Sequence, residues 1–465
     1  MKPILIPALL GFALLPSSFA GDATPARDTN GQPHPAAAPA APPLPWPDRP
    51  LSLADALNLA EAQNGTIAAA KKDLEASEGV VIQTRAILLP KVQATGDLRT
   101  VDDSSIEAAQ TPFGEIRFGQ TESWDAGVRL VQSLYEGGRM GSAVRTARLT
   151  REAAIQRYQT VLLDALLEVR VSYYNALLAL EQISVQEASV RLLERELQDN
   201  QRRFDAGSVP RFNVLRAEVE LANARPRLIR ARNAWRNGKT YLASLLGYRV
   251  PDHVTEDVPL DLSGRLDTPD FQLELGRALA MAQEQRSELK ALRAAEQLRR
   301  EGIQVARSGY LPSVQAYAGY GIRRSQFGEN LSTELHGWNA GVSASWNLFD
   351  GRYTRGRVVE AAALREQAEI EVDNAARQIS VEVRTAYSNF VEAREVLESQ
   401  TKVVEQATEA LRLATARAEA GTGTQLDVLS AQTALTEART TQNLARRDYL
   451  VALSRLQRAV GGGGT

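Results

Sequence analysis

The strongest constraint on this chain is that it contains one long unit twice. Phe204-Asp-Ala-Gly-Ser-Val-Pro-Arg-Phe-Asn-Val-Leu-Arg-Ala-Glu218 returns as Ala418-Glu-Ala-Gly-Thr-Gly-Thr-Gln-Leu-Asp-Val-Leu-Ser-Ala-Gln432, displaced by 214 positions. The same displacement carries Trp124 onto Trp338, Gly137 onto Gly351, Tyr173 onto Tyr387, Asn175 onto Asn389 and Gly247 onto Gly461. Any fold for this chain has to build one extended element twice. The chain divides into a first repeat over 51–247, a connector with three prolines over 248–270, a second repeat over 271–461 and a short tail, 462–465.

Each copy opens helical. From Ser52 to about Leu88 the residues Leu53, Ala56, Leu57 and Ala60 share one stripe, and the second copy is helical from about Phe271 to Ser308. At Pro90 a period of two takes over, with Val92, Ala94, Gly96 and Leu98 alternating with Lys91, Gln93, Thr95, Asp97 and Arg99. After a polar loop at about 102–120, Trp124, Ala126, Val128 and Leu130 alternate with Asp125, Gly127 and Arg129. The second copy repeats the plan with Val314 to Ile322 and with Trp338 to Leu348. Strands are therefore expected near 90–101, 122–134, 312–323 and 337–349.

Alternation over about 9–11 residues, with Trp or Tyr near the ends, is the pattern of a membrane-spanning barrel strand. Trp124, Tyr320, Trp338 and Trp346 are the candidate aromatic girdle. One strand face is compatible with lipid, and Lys91, Asp97, Arg99 and Arg129 on the other suit a water-filled lumen. A half-buried soluble sheet shares the period but needs apolar residues where these strands set polar against polar. Four strands cannot close a barrel, and in lipid each unpaired backbone group costs several kcal/mol. The edges must meet other copies of the chain: eight strands for a dimer, twelve for a trimer, with an open channel favouring three or more.

After each strand pair comes an unusually long helical stretch. Between about Met140 and Phe204 the residues Ile155, Tyr158, Leu162, Ala165, Val169, Tyr173, Ala176, Leu180 and Ile183 fall in steps of three and four, a coiled-coil seam. About 65 residues at 1.5 Å each reach roughly 100 Å. The second copy runs from about Tyr353 to Ala418, and both reverse into helices near Pro210–Leu246 and Thr424–Val460. At the reversals Gly207 and Gly421 sit where a helix end favours positive φ. Pro210 suits a first helical turn, and Thr424 with Asp427 fits a capping box. Capping is one role for Asp427. In an oligomer, copies of Asp427 around one axis would also form an acidic ring that attracts cations and narrows a pore. The first copy has Asn213 there, and Arg216 where the second has Ser430, so it cannot supply the same ring.

Composition narrows the remaining options. A net charge of −2 gives no reason to expect nucleic acid. With no cysteine there are no disulfides, thiolate sites or cysteine-borne lipid anchor, and the three histidines stand apart in linkers or loops. No catalytic constellation, metal site or cofactor motif is present, so an enzyme is not expected. Residues 1–20 read as a secretory signal: Lys2, an apolar run from Ile4 to Leu15, and Ser18-Phe-Ala20 before Gly21. Residues 21–50, rich in Ala and Pro, read as a flexible tether. No later run is apolar enough for a transmembrane helix.

The duplicated helix–strand–strand–helix–turn–helix plan resembles the TolC family of outer-membrane efflux proteins. So do Ala420-Gly-Thr-Gly-Thr-Gln-Leu-Asp-Val-Leu-Ser-Ala-Gln432, Trp346-Asn-Leu-Phe-Asp-Gly351 and Gln132-Ser-Leu-Tyr-Glu-Gly137, and the likeness spans nearly all of 51–461. It implies a mainly α protein with membrane β: a homotrimer whose twelve-stranded barrel lies in outer-membrane lipid and whose long antiparallel coiled-coil helices form a periplasmic α-barrel. The tip, at Gly207, Ser208, Val209, Gly421, Thr422 and Gly423, would meet a periplasmic adaptor and, through it, an inner-membrane pump or exporter. Asp427 matches the family's first acidic position at the constriction, while Ser430 replaces the second. The expected function is a passive duct for efflux of small toxic compounds. The alternatives are the outer duct of a type I protein secretion system and, less fittingly, a periplasmic adaptor, which would carry one hairpin and no barrel strands.

Overall fold

The computed structural model describes residues 46–462 apart from 48, 113, 118–120, 250–256 and 327–331. The signal segment, most of the tether, His34, His253 and residues 463–465 lie outside the described residues. In chain order the first copy contains α1 (Leu53–Gln63), α2 (Gly65–Arg85), β1 (Lys91–Thr100), a small hairpin of β2 (Ala108–Thr111) and β3 (Gly114–Arg117), β4 (Glu122–Glu136), α3 (Arg139–Asp205) and α4 (Arg211–Leu245). The second contains α5 (Leu275–Gln285), α6 (Ser287–Arg307), β5 (Ser313–Gln326), β6 (Ser332–Ser345), α7 (Tyr353–Glu419) and α8 (Gln425–Ala459). Paired helices are equal in length, up to 67 residues for α3 and α7. The displacement is 222 from α1 to α5 but 214 from α3 to α7. The first copy is therefore eight residues longer between its strands, where the β2–β3 hairpin sits.

The single helices expected over 52–88 and 271–308 are each two helices meeting at a bend. Ser52 and Asp55 start α1 with a reciprocal capping box. Asn64 then leaves the helical region at φ −59°, ψ 127°. Its side-chain oxygen accepts from the Thr66 and Ile67 amides, and its Nδ2 donates to the Leu245 carbonyl at 2.6 Å. In the second copy Arg286 bends at φ −57°, ψ 120° and donates from Nη1 to the Ala459 carbonyl at 3.2 Å. Each bend residue thus caps the last turn of the short hairpin helix, α4 or α8. A Cβ on Gly247 would come within 2.5 Å of the Gln63 carbonyl oxygen, and one on Gly461 within 2.9 Å of Gln285. Phe271 stays outside α5, its ring set edge-on to Phe390 at 5.8 Å.

Arg286 also donates to Glu288 at 3.0 Å and to Glu382 at 2.8 Å, and Arg458 donates to Asp164 at 2.7 Å and to Glu288. Burial pushes the Glu288 carboxyl up, but the bonds from Arg458 and its own amide, with the Arg458 and Arg286 charges, outweigh it and hold it below 4.5. Protonating Glu288 would strip two buried guanidiniums of their shared anion. Its contribution to stability is present above pH 4.5 and is lost as pH falls through the lower folded value. Thermal melts of wild type and Glu288→Gln between about pH 3 and pH 6 are expected to differ at the upper end and to converge at the lower.

The two long helices organise a single helical layer. Toward the sheet, α6 packs between α3 and α7 while α2 packs on α3. Toward the turns, α8 packs between α3 and α7 while α4 packs on α3. Within one chain α2 and α4 at one end, and α7 at the other, keep a side uncovered. Residues 257–262 and Leu51 cross one face of the layer as a strap, paired through a parallel bridge of Leu51 with Leu262. Val258, Leu260 and Leu262 bury there with Val169, Leu242, Val383 and Leu456. Tyr173 donates its hydroxyl to the carbonyls of Leu51, at 2.9 Å, and Ser263, and burial pushes that hydroxyl up to about 12.

The four long strands form an antiparallel sheet in the order β1-β4-β5-β6. Its register assigns the faces. Val92 opposes Leu130, Leu130 opposes Ala318 and Ala318 opposes Ala340, while Val128, Tyr320 and Trp338 make the next row. On the other face Gln93, Arg129, Gly319 and Asn339 are aligned, and Asp97, Asp125 and Arg323 make a second row. One face is mainly apolar across all four strands and the other carries the charges, with Leu335 completing the row of Asp97, Asp125 and Arg323. His336, expected in a loop, lies instead in β6 opposite Ile322 and is the polar exception on the apolar face. β6 runs over 332–345, earlier than the expected 337–349. Trp346 leaves the strand to donate its ring N–H to the Tyr310 carbonyl at 3.0 Å, and Asp350 accepts from the Thr354 amide at the start of α7. Val342→Arg, on the apolar face, is expected to cost about 2–4 kcal/mol in lipid. Ser343→Arg, on the other, should be near neutral, as read from the folded fraction recovered in outer membranes.

Candidate pore-lining site

Both long helices end in the same backbone motif. Gly207 (φ 74°) donates to the Phe204 carbonyl and Ser208 to that of Arg203, while Gly421 (φ 76°) donates to Ala418 and Thr422 to Arg417. These are Schellman closures, which position two otherwise unpaired carbonyls of the last turn. The Ser208 and Thr422 hydroxyls return to the same Arg203 and Arg417 carbonyls, at 2.8 and 3.3 Å. Gly423 turns so tightly that a Cβ would meet the Arg417–Ala418 backbone at 3.0 Å. Gly207, Ser208, Gly421 and Thr422 are exposed, and Val209 and Gly423 are half-buried.

The starts of the returning helices differ. Pro210 occupies the cap position of α4, one residue before the expected first turn, and makes no side-chain cap. An extended ψ of 153° keeps it out of the helix. Thr424 and Asp427 form the capping box. The Asp427 amide donates to Thr424 Oγ1 at 3.2 Å, and Thr424 donates from its amide and its hydroxyl to Asp427 Oδ2 at 3.0 and 2.8 Å. Those bonds, with the Arg417 charge, hold the Asp427 carboxyl below its ordinary value of 3.8. Asp427 is therefore ionised and exposed, as a pore acid must be, but held by its own helix start.

Ser430 lies exposed one turn on, while Asn213 and Arg216 lie half-buried at the start of α4. Among the described residues no bond joins Asp427 or Ser430 to Asn213 or Arg216. α8 is fixed here against α3, with Leu429 buried beside Leu193 and Leu221, and Gln425 donating to Glu196 at 3.3 Å. Of the four candidate girdle residues, the register brings Trp124, Tyr320 and Trp338 onto the apolar face toward the loop end of the strands. Trp346, just past the end of β6, marks the helical end, about 23 Å of strand at about 3.3 Å per residue separating Trp338 from Ser345 beside it.

A feature missed at the level of sequence is a groove of about 930 Å³ between α3, α7 and α8. Asp164, Asn175, Glu382, Asn389, Arg447 and Arg455 give it a wet lining. On α3 its residues Leu167, Val171 and Asn175 face away from Val169 and Tyr173, and so away from the strap. The signal was available, since the repeat keeps Asn175 and Asn389 identical on helices otherwise seamed by alanine. Among the described residues no acidic or histidine cluster could hold a metal ion, and no helix is long and apolar enough to cross a membrane. Thr424→Ala is expected to weaken the start of α8 by about 1 kcal/mol. Faster amide exchange confined to the first turn of α8 would report it.

Comparison with known proteins places this geometry. The family described as "Outer membrane efflux protein" matches residues 56–248 and 278–462. The chain is 26% identical to the alkaline protease secretion protein AprF of Pseudomonas aeruginosa, over 88% of this chain and 84% of that one. It is 24% identical to the outer membrane protein TolC of Vibrio cholerae, over 88% and 90%. Its fold is similar to that of CusC, with a TM-score of 0.72 at 17% identity over 88% of this chain and 92% of the other.

Proposed function

The chain belongs to the outer membrane efflux protein family, and from that premise we propose that it is the outer duct of a tripartite export system, passing small toxic compounds out through the outer membrane. The observation that carries this is the sheet: one apolar face, one charged face and two open edges. Copies of the chain, three in the family's manner, close the edges into a barrel around a wet lumen. The helical layer continues as a tunnel into the periplasm, and the turns at Gly207–Val209 and Gly421–Gly423 form the tip where a periplasmic adaptor docks. An inner-membrane pump supplies energy and selects cargo, so the duct needs no catalytic residues. Residues 1–20 direct export and residues 21–50 tether the body. Asp427 makes the acidic ring at the constriction, spaced by Asn213, with Ser430 and Arg216 one turn further along their helices.

A second cargo class, secreted protein, is favoured by the likeness to AprF, which is described as an alkaline protease secretion protein. Disruption of the gene separates the two: sensitivity to small toxic compounds supports efflux, and loss of a protein from the culture medium with unchanged sensitivity supports secretion. The duct itself is tested in planar bilayers. Purified oligomer is expected to form stable cation-selective pores, and Asp427→Ala to reduce that selectivity. A monomer without conductance would overturn the duct, whereas unchanged selectivity in Asp427→Ala would remove only the acidic ring.

A further inference from the structure

The internal joint between α3 and α8 is a template for a second joint the chain cannot make alone. Inside one chain Gln182 donates to the Thr440 carbonyl at 3.0 Å, and Leu193 and Leu429 share a buried cluster. The repeat maps α3 onto α7 and α8 onto α4. These are the two helices left with an uncovered side at opposite ends of the row. Shifted by 214 positions, the internal joint sets Val396 of α7 against Pro226 of α4, and Ala407 against Leu215. The apolar material is there: Leu215, Val219 and Ile229 are exposed on α4, and Val396 and Val403 on α7.

The charges complete the match. The same shift carries Leu178 and Leu444, which stand level with each other by the Gln182–Thr440 register, onto Glu392 and Arg230, and likewise Glu181 and Thr441 onto Glu395 and Arg227. All four substituting side chains are exposed, and among the described residues none has an oppositely charged partner in its own chain. Between 225 and 236, α4 carries five arginines and no acid, while between 392 and 398, α7 carries three glutamates against Arg394. We propose that the tunnel is assembled by packing α7 of one copy on α4 of the next, with Glu392–Arg230 and Glu395–Arg227 as ion pairs beside an apolar seam. The proposal rests on the oligomeric-duct reading and adds its joint. Exposed pairs are screened by salt, so this joint loosens at high ionic strength while the hydrogen-bonded barrel does not.

The absence of cysteine from the sequence makes a direct test possible. Asn223→Cys with Ser399→Cys reports the helical joint. Leu98→Cys with Val342→Cys, the repeat-equivalents of the paired Tyr320 and Val128, reports the barrel. Mild oxidation of outer membranes should cross-link copies in both variants. Adding Arg230→Glu should lower the helical cross-link about fivefold, adding Glu392→Arg as well should restore it, and neither should alter the barrel cross-link. A barrel cross-link without a helical one, or charge reversal without effect, would overturn the joint and leave the duct standing. Absence of both cross-links would overturn the oligomeric duct as well.

Discussion

Unpaired backbone is the constraint on which the rest depends. β1 and β6 each present a free edge, and a lipid interior offers no water to satisfy it. At several kcal/mol for each unsatisfied group, one open edge outweighs anything the exposed faces of the helices can contribute. Barrel closure therefore comes first energetically, and the helical layer follows it. α2 and α4 lie at the β1 end of the chain's layout and α7 at the β6 end, so one closing operation covers the sheet edges and the free helices together.

Rigidity in the helical layer comes from the places where helices stop. Within one chain α7 buries only Thr354, Ala368, Ile379, Val383 and Phe390 along its 67 residues, and the largest buried cluster clamps the layer at the level of the strap. There Asn64 and Arg286 cap the ends of α4 and α8, the Arg286–Glu288–Arg458 group ties α5 and α6 to α8, and Tyr173 pins the crossing of Leu51 with residues 262–263. Removing one partner from a buried charged group costs about 3–5 kcal/mol, whereas any one exposed pair on α3 or α7 contributes less than about 1 kcal/mol. Charges at the clamp therefore matter more than the many along the coil.

The parts of this fold legible in the sequence are those where a period persists. Alternation from Val92 to Leu98 and from Trp338 to Leu348 marked strands, though the last strand ends at Ser345, and the register sets all four alternations on one mainly apolar face. The seam from Ile155 to Ile183 marked the long helix, and Gly207 and Gly421 marked its end. The bends at Asn64 and Arg286 were hidden because the helical period continues through them; they exist for partners roughly 180 residues away in the chain, which no local pattern reports. The β2–β3 hairpin was hidden because its strands, at four residues each, are too short to show a period; its traces were Pro112 and Gly114 at the turn and the change of displacement from 214 to 222. The candidate pore acid was half legible. The capping box could be read at Thr424 and Asp427, but spacing alone could not say that the capping carboxylate stays exposed and ionised.

That last point bears on why the two turns diverged. Successive hairpins around a closed ring alternate between first and second copies, so a ring built from identical turns would carry an acid at every hairpin. Like charges crowded about one axis raise one another's pKa and work against closure. In this chain only alternate hairpins carry the acid, because Asn213 takes the equivalent place in the first copy. The first copy also adds Arg216 where the second has Ser430. Each Asp427 is further anchored by Thr424 and faced by the Arg417 charge, which keeps it ionised without help from its neighbours. A capping carboxylate cannot move unless the start of α8 moves with it. The charge proposed for the constriction is therefore coupled to the position of α8 on α3, the joint formed by Leu193, Leu429 and Gln425.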